Sequence, residues 1–216
     1  SVSEKSIGRR NLLVGSAFMR EDNHVEITDG VRIEMNSGYQ GTNCIHSIDD
    51  TDGTPHYRGA FWDGSQGGKS IKITKGKKYV LSCYYKTNDT NGRIFLEALY
   101  TDEQTNAKRT GNGPTYLTQS NFIVTKLNQW ELFTTVIDTT NAGEKDNYLA
   151  FNFFEYSNGN FGRINAYICR PMVEEGDTYN GWTLSKDDYD IIGANLIDNS
   201  RTFEVGGNIL SVTGNK

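Results

Sequence analysis

The sequence predicts an all-β fold, an antiparallel β-sandwich of the jelly-roll type. Three observations support this prediction: apolar residues recur with period two, glycine-rich turns separate these runs, and no convincing helical stripe is present. The chain has 23 glycines and only 3 prolines, a balance typical of strands joined by tight turns. Strand following strand without intervening helices favours a sandwich or jelly roll.

The alternation also predicts which side chains form the core. Successive residues of a strand point to opposite faces of its sheet. In "KKYVLSCYYK" one face is therefore formed by Tyr79, Leu81, Cys83 and Tyr85. We expect this set in the core, together with Leu149, Phe151 and Phe153 of a later strand. Other runs predicted as strands are "HVEITDGVRIEMN", "GRIFLEALYTD", "WELFTTVIDTT" and "GRINAYICRPMVEE".

Charge and hydropathy argue against two classes of partner. The formal net charge of −5 argues against a nucleic-acid partner, which would require a basic surface. No stretch approaches the roughly 18 apolar residues that a membrane-spanning helix needs, so no membrane insertion is expected.

The 3 cysteines are odd in number and far apart, so neither a disulfide framework nor a CxxC metal site is indicated. Cys83 and Cys169 lie in strand-like runs and are expected to be small buried hydrophobes. Cys44 is interpreted as a loop cysteine beside a surface histidine, His46.

No catalytic residue is predicted, and the chain is not expected to be an enzyme. The HExxH and GxSxG signatures are absent. "WDGSQGGKS" has Asp63 where a P-loop requires glycine. The adjacent Glu174 and Glu175 are interpreted as part of a solvated turn and not as the acid and base of a glycoside hydrolase.

The end of the chain repeats its beginning. "NLIDNS" at 195–200 aligns with "NLLVGS" at 11–16, which pairs Asn195 with Asn11 and Ser200 with Ser16. The predicted organisation is an N-terminal extension at 1–7, one jelly roll at 8–184, a linker at 185–192, and the start of a second related module or a C-terminal extension at 193–216.

Four segments resemble carbohydrate-binding modules of families four and nine. "NLIDNSRTFEVGGN" is similar to the opening of these modules, and "KGKKYVLSCYYKT" and "NQWELFTTVI" resemble two of their strands. "ICRPMVEEGDTYNGWTLSKDD" resembles their closing segment. Such a closing segment, followed by the start of a new module, is typical of minor structural proteins of phage tails and prophages.

The resemblance implies a jelly roll, sugar binding in a groove or at loop ends, and a structural calcium ion in many members. The first copy departs from the pattern, because "GSAF" at 15–18 replaces N-G-x-F and displaces the acidic position to Glu21 or Asp22. The metal ligands are therefore left unassigned.

A sugar site needs exposed aromatic rings beside hydrogen-bonding side chains, because sugars have apolar faces and hydroxyl edges. Strand phase places Tyr84, Glu97, Asn152 and Tyr156 opposite the predicted core. Trp62, beside a glycine-rich loop, is the other candidate. Trp130 and Trp182 are assigned to packing.

These features predict a non-catalytic module of a phage tail or prophage structural protein. We expect it to lie on the virion tail, outside the host cell, to bind bacterial surface polysaccharide and other tail proteins, and to be oligomeric in the full assembly. One alternative is a purely architectural tail module. The other is an accessory module of a secreted glycoside hydrolase, located outside the cell or at its surface.

Overall fold

The computed structural model describes residues 11–19, 22–49, 56–65, 67–110, 116–157 and 164–188, and the backbone of two short strands at 203–205 and 208–210. The strands in chain order are β1 (Glu26–Ile27), β2 (Val31–Glu34), β3 (Cys44–Asp49), β4 (His56–Trp62), β5 (Ile71–Lys72), β6 (Lys78–Thr87), β7 (Arg93–Thr101), β8 (Tyr116–Ile123), β9 (Glu131–Asp138), β10 (Tyr148–Ser157), β11 (Ile164–Glu175), β12 (Phe203–Val205) and β13 (Asn208–Leu210). A 3-10 turn at Tyr39–Gly41 precedes β3.

Within these described ranges, β1 to β11 form two antiparallel sheets, which confirms the predicted β-sandwich. Sheet one has the order β1-β4-β10-β7-β8, with β5 also paired to β10. Sheet two has the order β2-β3-β11-β6-β9. Consecutive strands change sheet repeatedly, so β6 and β7, although adjacent in sequence, lie in different layers.

The core lies between the sheets and is rich in aromatic rings, as their sequence content predicts. The predicted inward sets are confirmed: the members of both are at most 2% exposed. Cys83 and Cys169 are fully buried as predicted. The interpretation of Cys44 and His46 is wrong, because both lie in β3, where their exposed fractions are 0% and 4%.

Asn11 fastens the start of the sandwich to β11. Its Oδ1 accepts hydrogen bonds from the backbone N–H of Leu13 at 3.0 Å and of Val173 at 3.2 Å. Its Nδ2 donates to Ser16 Oγ at 2.9 Å and to the Pro171 carbonyl at 3.1 Å. Asn11 is 3% exposed, so this amide satisfies four polar groups inside the protein.

The sandwich continues a few residues beyond the predicted boundary at 184. Ser185 forms a parallel bridge with Asn11, and both Asp188 carboxylate oxygens accept hydrogen bonds from the Gly15 N–H, at 2.9 and 3.1 Å. Residues 185–188, predicted as linker, therefore pack against the domain. Most of the predicted second module lies outside the described residues, and of 193–216 the structure describes only the β12-β13 hairpin, so that assignment stays a prediction.

Candidate functional site

An open groove crosses the outer face of sheet one, the face turned away from the core. It has a volume of about 300 Å³, which lies at the lower end of the usual range for ligand sites. Its lining combines aromatic, amide, hydroxyl and charged side chains, namely Thr28, Tyr57, Phe61, Glu97, Arg109, Gln119, Asn152 and Phe154.

The floor of the groove is a chain of hydrogen bonds across three neighbouring strands. Asn152 on β10 lies opposite Glu97 on β7, and Glu97 lies opposite Gln119 on β8. Asn152 Nδ2 donates to Glu97 Oε1 at 2.8 Å, and Gln119 Nε2 donates to Glu97 Oε2 at 3.0 Å. Cross-strand neighbours on one face are close enough for such pairing, so strand register alone brings these groups together.

An ion pair closes one end of this floor. Asp63 directly follows β4 and is fully buried, and its Oδ2 accepts a hydrogen bond from Arg109 Nη2 at 3.3 Å. Its other carboxylate oxygen accepts hydrogen bonds from the N–H and Oγ of Ser65, at 2.9 and 2.6 Å. Asn152 Nδ2 also lies 3.5 Å from Asp63 Oδ2, which links the ion pair to the floor.

Burial sets the ionisation of the central carboxyl. Glu97 is 5% exposed. Its pKa is raised from the ordinary value of 4.5, chiefly because burial disfavours the charged form. The hydrogen bonds from Asn152 and Gln119 act in the opposite direction but do not cancel that effect.

Aromatic rings form the other part of the groove. Phe154 of β10 stacks on Phe61 of β4 and on Phe95 of β7, with ring centroids 5.5 and 5.2 Å apart. Tyr57 lies 5.0 Å from the Tyr156 ring and is 57% exposed, so its ring is open to a ligand.

Gly59 makes room for this aromatic row. A Cβ atom at Gly59 would lie 2.5 Å from the Phe154 Cα and 2.8 Å from its Cβ. Only glycine therefore permits the close approach of β4 to β10 below the rings.

The structure brings together three of the predicted site residues. Glu97 and Asn152 lie on the floor, and Tyr156 contacts the Tyr57 ring beside the groove. Their role in sugar binding stays a prediction.

Two predicted residues lie elsewhere. Trp62 is fully buried in the core, where Nε1 donates to the Val14 carbonyl at 2.7 Å, so the expectation that it is held out at the sheet edge is wrong. Tyr84 is half-buried on the outer face of sheet two, separated from the groove by the core.

Sequence reasoning missed several groove residues. Tyr57 and Phe61 lie four residues apart on β4 and point to the outer face of sheet one. Gln119 on β8 points to the same face, opposite Glu97. Strand phase could have found them once β4 and β8 had been assigned to the sheet that contains β10. Arg109 follows β7 in a loop, and no local pattern marks it as the partner of Asp63.

Two further expectations concern a metal and a membrane. In the described ranges, no group of three or more His, Cys, Asp or Glu side chains is placed to hold a metal ion. The structural calcium ion that the resemblance implies stays an expectation. The described part of the chain also lacks any helix long and apolar enough to cross a membrane.

The fold is that of carbohydrate-binding modules. Over 77% of this chain and 99% of the other, the structure is similar to a family-61 carbohydrate-binding module in complex with β-1,4-galactotriose, with a TM-score of 0.51 and 10% identity. It is similar to a protein from Bacteroides thetaiotaomicron described as sugar-binding, with a TM-score of 0.52 and 12% identity over 77% of this chain and 100% of that one.

The same fold also occurs within a larger enzyme. An arabinose-bound α-L-arabinofuranosidase matches with a TM-score of 0.51 and 11% identity, over 78% of this chain and 27% of the enzyme. No protein-family model matches the sequence. No curated protein matches it either.

Proposed function

We propose that this protein is a non-catalytic carbohydrate-binding module that holds a glycan in the groove of sheet one. The observation that supports this most strongly is the juxtaposition of the exposed Tyr57 ring with the Glu97, Asn152 and Gln119 network. An aromatic ring packs on the apolar face of a sugar, while the exposed Gln119 amide, which the buried Glu97 and Asn152 hold in place, is available to bind its hydroxyl groups. The complex of the family-61 module with β-1,4-galactotriose adds support from a protein of the same fold.

The groove carboxylates favour binding over hydrolysis. Both oxygens of Glu97 accept hydrogen bonds from side-chain amides. Asp63 is fully buried and paired with Arg109. A glycosidase needs one carboxyl group to protonate the leaving oxygen and a second to act as nucleophile or base, whereas these two are fixed by partners inside the protein.

The biological setting that we propose is the tail of a phage or prophage particle, outside the host cell, where the module adheres to bacterial surface glycans. The sequence resemblance in the closing segment and the repeated "NL" opening support this setting. In this setting each site can bind its glycan weakly. Dissociation constants from millimolar to micromolar correspond to binding free energies of about −4 to −8 kcal/mol. Several copies on one particle would raise the avidity by a factor of about 10² to 10⁴.

The test is binding of the full chain to a panel of bacterial and plant oligosaccharides, including β-1,4-galactotriose, and to whole bacterial cells, with and without calcium. Tyr57→Ala should weaken binding by at least about tenfold, or about 1.4 kcal/mol. Met35→Ala is the control, because Met35 is 54% exposed in the turn that follows β2 of sheet two and does not line the groove. Unchanged affinity in Tyr57→Ala would overturn the assignment of the groove.

The same binding panel, together with a measurement of the oligomeric state, distinguishes two alternatives. A well-folded protein that binds no glycan and self-associates through exposed rings would favour a purely architectural tail module. Binding restricted to plant polysaccharides, with no bacterial ligand, would favour an accessory module of a secreted glycoside hydrolase.

A further inference from the structure

The outer face of sheet two carries an arginine surrounded by aromatic rings. The Arg170 guanidinium carbon lies 5.2 Å from the Tyr39 ring centroid, 5.3 Å from that of Trp182 and 6.0 Å from that of Tyr84. Tyr39 and Tyr84 are themselves stacked at 4.1 Å. All four residues are half-buried, so their exposed edges form part of the protein surface.

The backbone at Arg170 is in an uncommon conformation. Its φ is +53°, in the left-handed region, and the pairing of β11 with β6 shifts between Cys169 and Met172. A bulge of this kind redirects a side chain and is often found next to functional sites. Non-glycine residues in this region persist only where the surroundings hold them.

A lysine in a similar environment lies beside this cluster. Lys86 Nζ is 4.3 Å from the Tyr167 ring centroid and 4.8 Å from that of Trp130. Lys86 lies opposite Tyr167, two residues along β6 from Tyr84, which is a step of about 7 Å on the same face. The two cation and ring clusters are therefore adjacent on one face of the sheet.

Neither cation has a carboxylate partner among the described residues. The hydrogen-bond partner of Arg170 is the neutral Gln40, at 2.9 Å. The nearby carboxylate of Glu34 is already bound by Arg32 at 2.9 Å and His46 at 2.7 Å. In a chain of net charge −5, this face thus presents two positive groups without counter-charge.

We propose that this face, which we define by Arg170, Lys86 and their surrounding rings, is a second binding site, for an acidic polysaccharide. Sugar rings would pack on the exposed aromatic edges, while carboxylate or phosphodiester groups pair with Arg170 and Lys86. A planar guanidinium binds such anions through two parallel hydrogen bonds. The site is separate from the groove of sheet one and does not depend on that groove binding a neutral glycan.

The test measures binding of the full chain to polygalacturonate, which carries carboxylates, and to poly(glycerol phosphate), which carries phosphodiesters. Binding of one or both is expected, and the stronger ligand identifies the anion. The double variant Arg170→Gln/Lys86→Gln should bind at least about tenfold more weakly. Lys72→Gln is the control for the loss of one positive charge and is compared with Lys86→Gln, because Lys72 is in an exposed position on sheet one.

Two further measurements separate polysaccharide recognition from simple charge attraction. Trp130→Ala should weaken binding to the acidic polysaccharide, whereas inorganic polyphosphate, which has no sugar ring, should bind weakly and be insensitive to that variant. Raising the ionic strength from about 0.1 M to about 1 M shortens the Debye length from about 10 to about 3 Å and should reduce the affinity.

Three results would overturn the proposal: no binding to either acidic polymer, equal loss in Lys72→Gln, or polyphosphate binding as tight as that of the polysaccharides. Urea unfolding of each variant verifies the fold. If the double variant is unfolded, Lys86→Gln alone provides the charge comparison with Lys72→Gln, and Arg170→Lys, which retains the charge, tests the contribution of the planar guanidinium.

Discussion

Asn152 and Glu97 lie directly opposite each other on β10 and β7, and the Asn152 amide donates to the Glu97 carboxylate at 2.8 Å. The pair is nearly enclosed, with exposed fractions of 0% and 5%. A hydrogen bond between buried groups is valuable mainly because its loss would leave a polar atom without water or partner. This pair links the stability of the sandwich to the chemistry of its groove.

The raised pKa of Glu97 predicts a pH-dependent stability. Because the folded protein binds this proton more tightly than the unfolded chain, the free energy of unfolding should fall as pH rises from about 4.5 through the raised pKa. Urea unfolding between pH 4 and 8 should show this decrease in the wild type, and a smaller decrease in Glu97→Gln.

The control for this experiment is Glu144→Gln, which changes an exposed carboxyl and should reproduce the wild-type profile. The pKa of Asp188 is also raised by burial and contributes with the same sign, so the difference between wild type and Glu97→Gln isolates Glu97. Identical profiles for wild type and Glu97→Gln would contradict the prediction.

Replacing Trp62 should damage the fold. Trp62 is fully buried, packs edge-on to Phe153 at 5.9 Å, and binds the Val14 carbonyl. Trp62→Ala should lower the free energy of unfolding by about 3 to 5 kcal/mol, whereas the exposed Tyr57→Ala should cost about 1 kcal/mol or less. Urea unfolding compares the two, and an unchanged midpoint for Trp62→Ala would show that the ring is not in the core.

The Asn11 amide should be essential to the start of the domain. Asn11→Ala leaves the buried Val173 N–H and Pro171 carbonyl without this partner. We expect a loss of about 2 to 4 kcal/mol in the free energy of unfolding.

Asn195→Ala is the matched control, because Asn195 is the equivalent position of the sequence repeat. Asn195→Ala should leave the unfolding of the sandwich unchanged if the repeat begins a separate module. A loss as large as that of Asn11→Ala would instead make 193–216 part of the first domain.

The three cysteines should be inert in the folded protein. All are fully buried, and burial raises the pKa of Cys44 to about 12 and of Cys169 to about 11. Since the thiolate is the nucleophile, a thiol reagent at pH 8 should label the native protein very slowly and the urea-unfolded protein rapidly. Fast labelling of one thiol in native protein would show local opening of its strand.

The sequence predicts which side chains of a strand point to the core and which point outward, but it does not predict to which of the two sheets a strand belongs. Period-two alternation assigned Phe151 and Phe153 inward and Asn152 and Tyr156 outward, because burial of one face imposes that pattern. The alternation carries no information on which sheet a strand joins.

Tyr84 shows the consequence. Consecutive strands are usually neighbours, so Tyr84 on β6 was expected beside Glu97 on β7, yet these strands pair in different sheets. The prediction for Trp62 is wrong for another reason. Phe61 and Trp62 are both buried, so β4 has apolar residues on both faces and shows no alternation from which the outward residues could be identified.

The bridge between Asn11 and Ser185 fixes the chain's entry to and exit from the sandwich at one place. In any polypeptide that continues at both ends, the folded domain would therefore lie to one side of the chain, and its residues would add little to the end-to-end length of that polypeptide. Mechanical tension along that polypeptide would act first on the bridge and on the Asn11 amide, and would leave the strands that hold the groove unstretched.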